Sequence, residues 1–255
     1  MIIRAISLQS GSNGNCIYVE TSGVRLLFDA GLSGVDAERR LAAYGRKIRE
    51  VDAVIISHDH SDHVRHAGTF QRKFGLPIYI TRDTLDVALA RHRLGRLSNV
   101  RHFNAGEPIR IGDVTIQTIP TPHDGADGVV FVIECCNKKL GIMTDLGHVF
   151  DGLRREIPNL DAVFIESNYD PTMLTKGPYP SYLKKRISGP RGHISNFEAA
   201  DLLLSGKRLK WACLSHLSHH NNYPALAIKT HRAILPESLT LHLAGRSEAT
   251  AVLGI

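Results

Sequence analysis

The chain has 255 residues, of which 43% are hydrophobic, an ordinary share for a globular protein with one substantial core. Its sequence has no apolar run that approaches the ~18 residues of a membrane span, which argues against a membrane-spanning helix. The net charge of +6 is compatible with binding to a polyanion and equally with plain solubility.

The length favours a single domain over residues 1–255. The first residues lead straight into a strand-like stretch without the layout of a signal peptide, which predicts a cytoplasmic protein. The four cysteines form no C-x-x-C pair; they are Cys16, Cys135, Cys136 and Cys213. We expect buried, reduced thiols, with Cys135 and Cys136 on opposite faces of one strand.

A small polar loop follows the first predicted strand. Its glycines permit positive φ, and exposed amides together with Asn13 and Asn15 could hold an anion, so both asparagines are candidate substrate-binding residues. The alternative is a plain hairpin loop. The strands predicted around it are Ile2–Leu8, Cys16–Val19 and Val24–Phe28.

Asp29 comes at the end of the third predicted strand. It is either an acceptor for a metal-ligating imidazole or a cap for the following turn. A helix is predicted over Ser33–Tyr44, with Ser33 as a possible N-cap and Gly45 as the stop.

The most informative stretch follows the apolar, β-branched strand predicted over Val51–Ile56. His58 and His60 are two residues apart, so their imidazoles point to the same side of an extended chain. Asp62 and His63 follow where a helix begins, so the turn can bring them back to the same point. Three imidazoles and a carboxylate within six residues suit a borderline divalent metal, Zn²⁺ foremost.

Further strands end in residues of the same chemical types. The predicted strands are Leu76–Ile80, Val114–Pro120, Val129–Cys135, Leu140–Met143, Asp161–Ile165 and Leu209–Leu214. His123 follows one of them and supplies a third imidazole for a zinc site, although alone it would be structural. Asp145 leaves another as a carboxylate able to bridge two cations, or as an N-cap. Glu166 and His216 each come directly after a strand.

Helices and connections complete the pattern. Helices are predicted from Val64 to about Phe74, from Asp83 to Arg93, from Phe197 to Leu204 and from Pro224 to Ile234, with a short strand at Ser238–His242. Ser195 or Asn196 caps the third of these helices, and both are candidate substrate-binding residues. Residues 169–192 are interpreted as a long connection. A basic stretch, containing Arg91, Arg93, Arg96 and Arg101, is either a nucleic-acid-facing rim or a solvated loop.

The order of these motifs resembles the metallo-β-lactamase superfamily, and the similarity spans nearly the whole chain. It implies an α+β fold, an αββα sandwich of two facing mixed β-sheets covered by helices, with two divalent metal ions (Zn²⁺ or Mn²⁺) at one edge. By that resemblance His58, His60 and His123 hold one ion. Asp62, His63 and His216 hold the second, and Asp145 bridges them.

Flanking segments are similar to the YycJ/WalJ-like branch, which is associated with the bacterial cytosol and with exonuclease activity on DNA. They are Ser10–Asn15, Gly177–Pro180, Leu183–Arg186, Gly192–Asn196 and His216–Ser218 with Asn221 and Asn222. His219 and His220 stand where that branch leads us to expect a more acidic or lysine-containing stretch, and His66 and His148 are extra imidazoles.

A second resemblance, to phosphodiesterases that process transfer RNA, concerns the mechanism. It implies that Glu166 and His193 shuttle a proton and that His216 binds metal. The catalytic candidates are therefore Asp62, Glu166 and His193. The resulting expectation is a dinuclear phosphodiesterase, a 5′-exonuclease-like enzyme acting on DNA in preference to RNA, with no membrane partner and no indicated oligomeric state. The alternative is a hydrolase of a cyclic phosphodiester, thioester or lactone on the same scaffold.

Overall fold

The computed structural model describes residues 3–255. Within this range the strands are β1 Arg4–Gln9, β2 Cys16–Glu20, β3 Arg25–Phe28, β4 Ala53–Ile55, β5 Ile78–Ile80, β6 Val100–His102, β7 Ile109–Ile111, β8 Val114–Pro120, β9 Val129–Cys135, β10 Lys138–Met143, β11 Ala162–Glu166, β12 Trp211–Ser215, β13 Thr240–Leu243 and β14 Leu253–Gly254. The α-helices are α1 Gly34–Ala42, α2 Ser61–Val64, α3 Ala67–Phe74, α4 Arg82–Arg91, α5 Asp151–Glu156, α6 Pro171–Lys176, α7 Ser181–Ile187, α8 Asn196–Leu203 and α9 Pro224–Arg232.

The strands form two mixed sheets. In residues 3–255 each sheet has seven strands, ordered β14-β1-β2-β3-β4-β5-β6 and β13-β12-β11-β10-β9-β8-β7. The steps from β3 to β6 are parallel, as are those from β10 to β13, while the other neighbours pair antiparallel. Parallel neighbours end at the same edge of a sheet, so the loops after β3 and β4, and those after β10, β11 and β12, lie side by side.

Three apolar layers hold the sheets and helices together. Inward-facing side chains of both sheets form the central one, where the rings of Phe28 and Phe131 have centroids 5.0 Å apart. A second layer packs the first sheet against α1 and α3, through Leu41 and Phe70 for example. A third packs the other sheet against α5, α8 and α9. The predicted αββα sandwich of two facing mixed sheets is confirmed.

Local capping predictions are confirmed where a side chain meets a backbone amide. Ser33, the predicted cap, accepts from Asp36 N at the start of α1. Ser195 caps α8 in a reciprocal box with Glu198. The N-terminal hairpin pairs β1, β2 and β3 as predicted, with β1 starting at Arg4; Ile2, the predicted first residue, lies outside the described residues.

The structure differs from the sequence predictions in four places. The connection over residues 169–192 contains α6 and α7, and β6 and β7 were not predicted. Cys136 is exposed and lies in a turn at φ 52°, because β9 ends at Cys135. The two thiols therefore do not point to opposite faces: their Sγ atoms are 3.3 Å apart.

Three backbone hydrogen bonds, together called the backbone clamp, position the ligand-type residues Asp62 and His63 after β4. Asn15 N donates to Asp62 O over 2.7 Å, Gly31 N donates to Asn15 O over 2.9 Å, and Ala30 N donates to His63 O over 2.6 Å. A Cβ on Gly31 would overlap the Asp62 carbonyl oxygen. The loop after β3 therefore approaches α2 so closely that only glycine fits.

We expect Gly31→Ala to lower the free energy of unfolding by about 3 kcal/mol or more, because the overlap forces α2 away from the clamp. Urea unfolding and metal content measure the effect. Gly45→Ala is the control: its φ is +71° and its Cβ would meet nothing within 4 Å, so only backbone strain of about 1–2 kcal/mol applies. Equal losses in the two variants would contradict the clamp.

Candidate metal centre

The strand ends bring every predicted metal ligand to one edge of the sandwich. His58, His60 and His123 offer nitrogen atoms that all lie within 4.8 Å of one another, and so do the donor atoms of Asp62, His63 and His216. Asp145 joins the sets, because one of its oxygens lies within the same distance of His58 and His63 donors. Residues far apart in sequence thus form one cluster.

In the first set, the ring nitrogens of His58 and His123 that face away from the cluster each have a partner that orients the ring. His58 Nδ1 is 2.9 Å from Ser57 Oγ, and His123 Nδ1 is 2.7 Å from Gly192 O. The Gly192 carbonyl can only accept, so His123 carries its proton on Nδ1 and presents the lone pair of Nε2. His58 Nε2 is buried without a hydrogen-bond partner among residues 3–255. A bare, inward-facing nitrogen of this kind is what a metal ligand requires.

In the second set, Asp29 orients the buried ring of His63. Asp29 Oδ2 is 2.7 Å from His63 Nδ1, and the same carboxylate accepts from Ser57 N and Ser57 Oγ over 2.8 and 3.0 Å. His63 Nε2 then faces Asp62 Oδ2 at 3.5 Å, and His216 Nε2 faces that oxygen at 3.4 Å. Of the two predicted roles for Asp29, these contacts favour the acceptor for an imidazole.

Asp145 lies between the two sets. Its Oδ1 is 3.6 Å from His123 Nε2 and 3.6 Å from His216 Nδ1, while its Oδ2 is 3.2 Å from His63 Nε2. Within residues 3–255 this Oδ2 has no partner with hydrogen-bond geometry although it is buried. Asp145 Oδ2 and His58 Nε2 are both buried electron-pair donors without a hydrogen bond, and such a pair fits a divalent cation.

Three of these strand-end residues adopt left-handed backbone conformations. Asp29, Asp145 and His216 have φ of 64°, 60° and 55°. Each costs of order 1–2 kcal/mol in a residue with a Cβ and is typical of functional sites whose surroundings impose it. The sharp turn lets the side chain leave the sheet edge and point into the cluster.

The electrostatics of the centre favour a cation. Burial lowers the pKa of His58, His60 and His123, which keeps these rings neutral as ligands. Burial also opposes a charge on His216, but Asp145, Asp62 and Glu166 raise its pKa to about 10. Without metal, imidazolium ions therefore supply the positive charge that these carboxylates require.

Glu166 and His193 form a pair at the mouth of the cluster. Glu166 is fully buried, its Oε1 lies 2.7 Å from His193 Nδ1 and 3.2 Å from His216 Nδ1, and its Oε2 accepts from Leu146 N and Ile194 N. Although burial opposes ionisation, the His193 charge and hydrogen bonds from both histidines lower the pKa of Glu166 to about 2. Glu166 is therefore a fixed carboxylate that holds Nδ1 of His193.

Two aspartates beside the ligand-type histidines, each paired with an arginine, were not predicted. Asp59 is fully buried, accepts from Ala126 N over 2.6 Å and pairs with Arg91 over 2.9 Å. Asp124 lies 3.3 Å from His60 Nε2 and pairs with Arg186 through 2.8 and 3.1 Å hydrogen bonds. The sequence held one signal for these aspartates, because Asp59 directly follows His58 and Asp124 directly follows His123.

The four predicted substrate-binding residues have partners inside the protein. Asn15 Nδ2 contacts Asp62 Oδ2 and His63 Nε2 at 3.0 and 2.9 Å. Asn13 Nδ2 donates to Arg246 O, and Ser195 caps α8. Asn196 is fully buried and accepts from Ser167 Oγ over 2.6 Å. Their role in binding substrate stays a prediction.

The cluster opens into a cavity of about 280 Å³, the metal cavity, lined on its outer side by Ser12, Arg91, Arg186 and His193. Of the basic stretch, Arg91 lines this cavity, whereas Arg101 donates to Tyr79 Oη and Arg93 and Arg96 are exposed. Each of the two cavity arginines is paired with an aspartate, Arg91 with Asp59 and Arg186 with Asp124, so the entrance has guanidinium groups held in place by ion pairs.

Comparison with known proteins identifies the family. The β-lactamase superfamily domain matches residues 24–220. The chain belongs to this superfamily. Within it, the chain is 37% identical to "Exodeoxyribonuclease WalJ" of Streptococcus pneumoniae serotype 2 over 88% of this chain and 84% of that protein. It is 34% identical to "Exodeoxyribonuclease YycJ" of Bacillus anthracis over 90% of this chain and 88% of that protein.

Solved structures agree on the fold. The metallo-β-lactamase fold protein YhfI of Bacillus subtilis superposes with a TM-score of 0.75 at 17% identity, covering 98% of this chain and 99% of that one. The predicted membership of the superfamily, in its YycJ/WalJ-like branch, is confirmed. Membership and the donor clusters together support divalent metal binding at this centre. No helix within residues 3–255 is long and apolar enough to cross a membrane.

We expect Asp29→Asn to weaken divalent metal binding about 10–100-fold, because the amide cannot hold the His63 ring as the carboxylate does. The change is nearly isosteric, and asparagine tolerates the left-handed backbone at this position. Competition with a chelator measures the affinity. Asp52→Asn is the matched control, since Asp52 is exposed and its carboxylate accepts from Arg25 N, away from the cluster; an equal loss there would contradict the role of Asp29.

Proposed function

We propose that this chain is a metal-dependent nuclease that degrades DNA as an exonuclease of 5′ polarity, in the cytoplasm, with two divalent ions, Zn²⁺ or Mn²⁺. One observation carries the proposal: a buried cluster of seven ligand-type side chains stands beside the Glu166–His193 pair at the bottom of an arginine-rimmed cavity. The names of the relatives, both exodeoxyribonucleases, support the substrate. The continuous central core supports one domain over residues 1–255.

The ligands divide into two proposed sites with a shared member. His58, His60 and His123 would hold one ion, Asp62, His63 and His216 would hold the other, and Asp145 would serve both. When bound, two divalent cations lower the pKa of an attacking water and neutralise charge that develops on a phosphoryl group. The donor set fits, because imidazole nitrogens and carboxylate oxygens are ligands for borderline divalent metals and lie within 4.8 Å of one another in each group.

The chain's own residues perform the remaining steps. Asp62 lies beside the cavity, with its Oδ2 held by Asn15, and is the carboxylate placed to orient the attacking water. His193 donates a proton from Nε2 to the departing sugar oxygen, while Glu166 holds Nδ1 and stabilises the imidazolium before transfer. A positioned acid of this kind contributes roughly 10²–10⁴-fold. Arg91 and Arg186 hold phosphates outside the reacting group without reading the sequence.

The metal stoichiometry tests the dinuclear assignment. We expect two equivalents of divalent ion per chain by elemental analysis of protein purified without chelator. Asp145→Asn should weaken the binding of both ions, because a single carboxylate serves both proposed sites. Loss of one equivalent with the other unchanged would contradict bridging, and an active protein with less than one equivalent would exclude a dinuclear enzyme.

The general acid is tested by the leaving group. We expect the parent to shorten end-labelled DNA from one end and His193→Ala to lose about 10²–10⁴-fold of that activity, since a sugar alkoxide is a poor leaving group. On a diester with a nitrophenolate leaving group, which departs unprotonated, the variant should stay near parental activity. His216→Ala is the comparison: it should lose metal and activity on both substrates.

Equal losses of His193→Ala on both substrates would reject the general acid and favour phosphate binding by His193. Hydrolysis of a cyclic phosphodiester, thioester or lactone by a metal-loaded parent that leaves DNA and RNA intact would replace the nuclease by the small-molecule alternative.

A further inference from the structure

An apolar cavity of about 250 Å³ lies outside the metal centre, and we call it the side cavity. Its walls include Leu217, Tyr223, Pro224, Leu243 and Ala244. The metal cavity, in contrast, is lined largely by histidines, aspartates and arginines. An apolar recess with a few polar groups is the usual form of a site for a flat organic group.

A groove of about 170 Å³ joins the two cavities. It shares Ser12, Arg186, His193 and His216 with the metal cavity, and Leu217 and Ser218 with the side cavity. The groove therefore borders both cavities, and it is the nearest surface for a polymer whose phosphodiester lies at the metal centre.

Aromatic rings follow this path. Tyr179 lines the groove, and its ring centroid is 5.4 Å from that of His220. His220 is 4.7 Å from His219, which lines the side cavity. Tyr223, half exposed at 50%, adds a ring at the cavity itself. His219 and His220 are the residues that depart from the expected pattern of the branch, and neither belongs to the metal cluster.

Arg246 supplies a cation at the same place. It lines the side cavity, and its Nη1 donates a long, 3.4 Å hydrogen bond to Leu217 O. Within residues 3–255 no ion pair joins it to a carboxylate, although it is only partly exposed and burial lowers its pKa. A partly desolvated guanidinium without a counter-ion beside an apolar recess is suited to an anionic group on the same ligand.

We propose that the side cavity is a nucleobase subsite, in which one base of single-stranded DNA stacks on Tyr223 and Arg246 contacts the neighbouring phosphate. The proposal rests on the nuclease function above and adds to it how the strand is held away from the metals. Base stacking on an aromatic ring together with a cationic backbone contact is the common way in which proteins hold single strands without sequence preference.

Binding of labelled single-stranded DNA tests the subsite. Each DNA has hydrolysis-resistant phosphorothioate linkages and one abasic residue, whose position is moved along the strand. Binding to the full-length, metal-loaded protein is measured by fluorescence anisotropy. We expect one abasic position to raise Kd about tenfold, as for loss of one stacked base. Tyr223→Ala should raise Kd for intact DNA by the same factor, and the abasic residue should then add nothing.

Arg246 has a separate signature. Arg246→Gln should keep the dependence on that base but reduce the slope of log Kd against log salt by about 0.7, the loss of one phosphate contact on a single strand. Tyr223→Phe should bind as the parent does, because the ring is retained. Tyr182→Ala and Arg154→Gln are matched controls: Tyr182 is 74% exposed, Arg154 is exposed, and neither lines the side cavity.

Equal binding of every abasic DNA by the parent would overturn the subsite, and so would additive losses from Tyr223→Ala and the abasic residue. Hydrolysis of bis(p-nitrophenyl) phosphate by the metal-loaded parent is measured in parallel. Hydrolysis without base-dependent binding would reject the subsite alone, whereas base-dependent binding without hydrolysis of any phosphodiester would support the subsite and reject the nuclease.

Discussion

Negative charge buried at one edge of the sandwich is the constraint on which the site depends. Asp29, Asp145 and Glu166 are almost fully buried, and ionised carboxylates are costly there unless cations or hydrogen-bond donors surround them. The histidines of the cluster meet this requirement, and so does divalent metal. The same buried carboxylates therefore belong both to the sheet edge and to the candidate metal centre, so the fold requires positive charge at this place.

The positions of the ligands are fixed by residues outside the cluster. Asp29 turns His63, Gly192 O turns His123 and Ser57 contacts His58, each through the ring nitrogen that faces away from the centre. Contacts of this kind fix the tautomer and raise the basicity of a ligand. Ser57 also donates to Asp29, so this one side chain links His58 of one proposed site to the partner of His63 in the other.

The chemistry at the metals and the handling of a polymer fall on different parts of the surface. The cluster and the Glu166–His193 pair are made by residues that follow strands, by α2 and by the segment before α8, whose fixed positions suit the precise geometry that catalysis requires. The side cavity is made by the residues after β12, by the end of β13 and by the residues after it. Variation there can change the substrate without disturbing the centre, in keeping with the separation of fold and function.

The sequence by itself determined most strands and helices of the sandwich, the order in which ligand-type residues follow the strands, and the type of metal that they suit. It could do so because apolar periodicity and the H-x-H-x-D-H spacing are local properties of the chain. Tertiary structure alone decided that Asp29 pairs with His63, that Asn15 and Asn196 turn inward, and that Tyr179, His219, Tyr223 and Arg246 border one path. Those facts depend on segments far apart in sequence, such as Asn15 and Asp62, which are 47 residues apart. Side-chain direction at such contacts is set by how two sheets pack, which no local pattern encodes.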